Sequence, residues 1–98
     1  MGIDLPALGQ IPRTVELNNY PNPFNNFTII RYAIPKAGNV NLTIYNTLGQ
    51  KVAELVNEER TAGIYTYHFN AASLSSGIYI SQLETEDKVK IRKMLLIK

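Results

Sequence analysis

The chain has no cysteine. This excludes disulfide staples, a thiol nucleophile and zinc held by thiolates. It has no tryptophan and a single histidine, His68. His68 alternates with Tyr67 and Phe69, which places it on the solvent side of a strand. It reads as a surface histidine, because a base or metal ligand would need carboxylates close by and none lies within several residues. The Glu84-Thr85-Glu86-Asp87 turn would offer some oxygen ligands to calcium, but a solvated loop accounts for it without a patterned ligand set. No P-loop, dinucleotide fingerprint or nucleophile elbow is present. No apolar run approaches the roughly 18 residues of a membrane helix. The opening residues lack the basic and apolar regions of a secretory signal peptide. No segment patterns as a helix of typical length. The chain therefore reads as a non-enzyme with no catalytic, metal or cofactor residues.

What is there is a single small domain of 98 residues, 45% of them hydrophobic. That fraction suffices for one core and argues against global disorder. The net charge of +2 is too small to suggest nucleic acid, but it is unevenly spread. Lys88, Lys90, Arg92, Lys93 and Lys98 give residues 88–98 a charge of +5, with no acid among them, and the rest of the chain carries −3. This basic end reads either as one solvated strand face or as a contact surface for an anionic partner.

Residues 1–14 contain Pro6 and Pro12, which prevent a regular helix or central strand, and read as a linker or an appended segment. Their Ile3, Leu5, Leu8 and Ile11 would touch the domain or a neighbour. From residue 15 to 98 the pattern is strands and turns. Val15 and Leu17 lead into a Pro- and Asn-rich segment, residues 18–26. Thr28, Ile30, Tyr32 and Ile34 share one face, with Arg31 on the other. Residues 35–39 read as a turn. Val40, Leu42 and Ile44 alternate with Asn41, Thr43 and Tyr45 as a half-buried strand. Residues 51–56 fit either a strand or a helical turn, and their flanking turns favour the strand. Asn57 to Gly63 reads as a polar loop. Tyr65, Tyr67 and Phe69 make one strand face, and Ile78 to Leu83 and Val89 to Ile97 complete the set. About seven strands with turns every ten residues predict an all-β, antiparallel immunoglobulin- or fibronectin-like sandwich.

The last strand breaks its own pattern. Val89, Ile91, Leu95 and Ile97 share one parity, taken as inward, which Lys93 interrupts; Met94 and Leu96 occupy the other. Three explanations stay open: a bulge near Lys93, burial of the strand end on both sides, or one apolar face kept for a partner. Tyr20 and Tyr45 pack in the core or at the rim, or stand exposed where they would meet a sugar.

Four motifs in order carry a family resemblance. Tyr20-Pro21-Asn22-Pro23-Phe24-Asn25, Tyr45-Asn46-Thr47-Leu48-Gly49-Gln50-Lys51-Val52, Leu74-Ser75-Ser76-Gly77-Ile78-Tyr79 and Lys93-Met94-Leu95-Leu96-Ile97-Lys98 together resemble the type A C-terminal sorting domains of the type IX secretion system. The resemblance spans residues 15–98. It departs at Asn25-Asn26, where many relatives have Asn-Pro; losing that proline is expected to loosen the turn.

The resemblance implies a β-sandwich that directs an N-terminally fused cargo from the periplasm across the outer membrane of Bacteroidetes and related phyla. The cargo is then secreted or held at the cell surface. It implies two partners, the type IX machinery and a sortase-like peptidase that cuts in the preceding linker. Lys93, Met94, Leu95, Leu96, Ile97 and Lys98 are the expected recognition element, readable through free backbone groups at a sheet edge. Pro21, Asn22, Pro23, Phe24, Gly49, Gln50, Gly77 and Tyr79 are expected to be structural, with Gly77 at a backbone angle other residues resist. An open edge would also permit a homodimer. The alternative is a structural or carbohydrate-binding sandwich retained in a secreted enzyme.

Overall fold

A computed structural model describes residues 12–98. The expected linker, with its Ile3, Leu5, Leu8 and Ile11, lies for the most part outside the described residues. Seven strands run in order: β1 Glu16–Tyr20, β2 Phe27–Ile34, β3 Gly38–Asn46, β4 Lys51–Arg60, β5 Gly63–Asn70, β6 Gly77–Glu84 and β7 Val89–Leu96. They form two antiparallel sheets, β1-β2-β5 and β4-β3-β6-β7. The fourth strand pairs with the third rather than joining the first sheet, so the arrangement is the fibronectin-like form of the expected sandwich.

Period-two alternation explains the core. Thr28, Ile30, Tyr32 and Ile34 of β2 face Val40, Leu42 and Ile44 of β3, and all seven are buried. Tyr79 and Leu83 of β6 join them, with Leu17, Phe24 and Phe69 closing the ends. Tyr32 stacks on Tyr65 at a centroid distance of 5.4 Å, and the Arg60 guanidinium lies 5.2 Å from the centre of the Tyr65 ring.

Burial holds the Tyr32 hydroxyl above its ordinary pKa, against the opposing pull of Arg60. A phenol whose folded pKa is raised stabilises the fold below its unfolded pKa, near 10, and that contribution is lost as pH rises through the folded value. Tyr32→Phe is therefore expected to flatten the alkaline fall in Tm above about pH 10, as measured by thermal unfolding.

Two expectations about strand ends are corrected. Asn57 to Arg60 are not loop; they continue β4, because β3 already begins at Gly38 and its Gly38 to Asn41 pair with them. Their polar character is that of an edge strand. The register of β4 also slips twice, at Val52 and at Leu55. Such bulges, with Lys51, Glu54, Glu58, Glu59 and Arg60 along the same strand, blunt this edge against pairing with another chain.

The inward parity of β7 is corrected as well. Residues directly opposite in an antiparallel pair share a face. Tyr79 lies opposite Met94 and Gly77 opposite Leu96 in an unbroken register, so no bulge sits at Lys93. Met94 and Leu96 are 0% and 1% exposed and belong to the core, while Val89, Ile91, Leu95 and Ile97 point outward at 54, 56, 37 and 50%.

Candidate recognition surface

β7 is the last strand of its sheet, and half of its outer edge is sealed. The Asn22 side chain pairs with β7 as a strand would: its Nδ2 donates to the Lys93 carbonyl at 3.0 Å and its Oδ1 accepts from the Leu95 amide at 3.0 Å. Phe24 extends the seal through its backbone. Its amide donates to the Leu95 carbonyl at 2.9 Å, and its carbonyl accepts from the Ile97 amide at 2.8 Å. From the Lys93 carbonyl to the Ile97 amide the backbone is therefore not the expected free edge.

The Pro-Asn segment holds this position for local reasons. The peptide bonds before Pro21 and Pro23 are cis. The Thr28 hydroxyl, buried in β2, donates to the Pro21 carbonyl at 2.8 Å and accepts from Asn19 Nδ2 at 3.1 Å. Phe24 buries its ring in the core. Asn26 then reverses the chain with φ 67°, its neighbours closed by a Phe27 amide to Asn25 carbonyl bond of 2.8 Å. The Asn26 carbonyl also accepts from the Ala71 amide at 2.7 Å. Asn26 here holds a left-handed turn that a proline, fixed near φ −65°, would not enter.

The other motif residues support neighbouring turns. Asn46 Oδ1 accepts from the amides of Leu48 and Gln50 at 2.9 and 3.0 Å, and its Nδ2 donates to Gln50 Oε1 at 2.8 Å. Gly49, at φ 79°, closes this β3–β4 hairpin. Gly77, at φ 149°, opens β6. Tyr79 is buried and donates its hydroxyl to the Ser75 carbonyl at 2.7 Å, tying the loop before β6 to the core.

The six residues expected to be recognised divide by parity. Lys93, Leu95 and Ile97 lie on the outer side of β7, while Met94 and Leu96 are inside. Lys98 is exposed but engaged, its amide donating to Ser76 Oγ at 3.1 Å and its ammonium to the Ala72 carbonyl. On the outer face Leu95 sits opposite Ile78 and Lys93 opposite Ile80. Sequence reasoning missed Ile78 and Ile80; their pairing with β7 carries no local signal. The result is an apolar stripe centred on a lysine. Lys88, Lys90 and Lys93 form no ion pair among the described residues, whereas Arg92 donates from Nε to the Leu17 carbonyl of β1 at 2.8 Å and clasps the two sheets.

His68 is exposed on β5. Among the described residues no three His, Cys, Asp or Glu side chains converge as a metal site. Asp87 is held below the usual carboxylate range first by its hydrogen bond from Lys36, whose ammonium stands 3.1 Å away, so this turn is an ion pair on the surface. Tyr20, 81% exposed, and Tyr45 lie on the outer faces of opposite sheets, so they do not form one sugar platform.

The described residues form a small two-sheet sandwich with an apolar, basic stripe on the outer side of β7. The family model of the secretion system C-terminal sorting domain matches residues 18–98. The chain belongs to that family, the type IX sorting domains its motifs resemble. This is a sorting signal and not an enzyme family, and it implies export with secretion or surface display. No curated protein matches the chain.

Proposed function

We propose that the type IX machinery reads this domain while it is folded, through the outer face of β7, and carries a cargo attached on its N-terminal side from the periplasm across the outer membrane. The observation that supports this most is the division of β7: Met94 and Leu96 anchor it, and Lys93, Leu95 and Ile97 stand outward beside Ile78 and Ile80. An anchored strand keeps its contact residues in fixed geometry, so little conformational entropy is lost on docking. The lysines would steer an acidic partner and the apolar stripe would hold it. A sortase-like peptidase would then cut ahead of the domain. The core residues Met94 and Leu96 and the structural set Pro21, Asn22, Pro23, Phe24, Gly49, Gln50, Gly77 and Tyr79 serve recognition by positioning that face.

The test is a reporter protein fused ahead of this chain in a bacterium with a type IX system. Leu95→Glu with Ile97→Glu is expected to cut surface display at least tenfold and strand the fusion in the periplasm, with Tm shifted by only a few degrees. Unchanged display of that double variant rejects the reading.

A further inference from the structure

The seal on β7 stops partway. The Lys93 carbonyl, the Leu95 amide and carbonyl and the Ile97 amide point to the outer edge, where Asn22 and Phe24 meet them. The register with β6 is unbroken, so Val89 and Ile91 direct their backbone groups to the same edge. Among the described residues no backbone group pairs with Val89 or Ile91 there. Beside this open stretch runs a groove, with Arg13, Thr14 and Val15 on one wall and Lys88, Val89 and Lys90 on the other. Its rim is cationic. Among the described residues the one carboxylate on it, Asp87, is already paired with Lys36.

We propose that this groove takes an acidic, extended peptide segment of a partner protein as an added strand on β7, along Lys88 to Arg92. An open edge offers a row of backbone donors and acceptors, and alternate side chains of the guest fall into or out of the groove. Charge decides the occupant. A second copy pairing here would set Lys88, Lys90 and Arg92 against their own kind, which disfavours the homodimer. A guest with Asp or Glu at alternate positions would neutralise Arg13, Lys88 and Lys90. The opposite edge of the sheet, on β4, is bulged and carries both signs of charge, so it makes no such offer. The proposal deepens the sorting reading by giving the chemistry of a partner, but it concerns an edge distinct from the outer face that reading uses.

The experiment is a titration of the 98-residue chain, followed through its backbone amide resonances, with a nine-residue peptide alternating Glu and Val and with its Gln counterpart. The expected result is that the Val89 and Ile91 amides exchange freely in the chain alone. The acidic peptide then shifts and protects both, at least tenfold more tightly than the Gln peptide, with affinity falling as salt rises. Lys88→Glu with Lys90→Glu is expected to abolish that preference while leaving the core resonances in place. Ile91→Pro, which deletes an edge donor without changing charge, is expected to abolish binding of the acidic peptide.

Equal binding of both peptides overturns the proposal, as does shifting of amides only elsewhere, or protection of Val89 and Ile91 before any peptide is added. Binding of anionic vesicles at these residues in place of the peptide overturns it too. None of these results bears on surface display of the Leu95→Glu, Ile97→Glu fusion, so the two readings fail separately.

Discussion

Met94→Ala is expected to destabilise the domain by about 2–5 kcal/mol, the range for truncating a large buried side chain. Leu95→Ala, one residue on, is expected to cost about 1 kcal/mol or less, because that side chain points outward and is only partly covered. Small domains hold only about 5–15 kcal/mol in total, so the first variant sits near the limit of folding and the second does not. The contrast follows from parity alone. Met94 is wholly buried opposite Tyr79, and Leu95 stands outward opposite Ile78. Chemical denaturation of the two variants checks it. Equal losses, or a larger loss for Leu95→Ala, would mean that β7 presents its other face to the core.

Asn26→Pro is expected to cost about 3 kcal/mol or more, although many relatives carry proline at this point of the motif. Here Asn26 has φ 67°, in the left-handed region, and its carbonyl ties the turn to Ala71. Proline cannot take that angle. Glycine can, so Asn26→Gly is expected to stay within about 1 kcal/mol of the parent. Thermal unfolding of both variants measures the difference. A proline variant as stable as the parent would show that this turn adopts another conformation.

The fold was largely legible because most strands bury one face only. Val40, Leu42 and Ile44 announce themselves by alternation, and so do Ile30, Tyr32 and Ile34. Strand β4 was harder to read. Its bulges turn Val52 and Ala53, and again Leu55 and Val56, partly toward the core in succession, which mimics the spacing of a helix. Its last four residues are polar because they lie on a sheet edge, so composition read them as loop.

The recognition surface was legible as a segment but not as a face. Both sides of the end of β7 are apolar, one for the core and one for solvent, and alternation cannot say which is which. The seal by Asn22 was not legible at all. It joins residues 71 and 73 positions apart in the chain, and a side-chain amide acting as a strand leaves no periodic trace.

The central claim is that Asn22 and Phe24 seal the outer edge of β7 from the Lys93 carbonyl to the Ile97 amide, so that this stretch is read only through its outward side chains. Hydrogen exchange at the Leu95 and Ile97 amides tests it most directly, because these two amides point away from β6 and rely on Asn22 and Phe24. The account predicts that both exchange at least about a hundredfold more slowly than an open chain, close to their neighbours Met94 and Leu96. Exchange of Leu95 and Ile97 at open-chain rates would contradict it, and would make the end of β7 an unsealed edge.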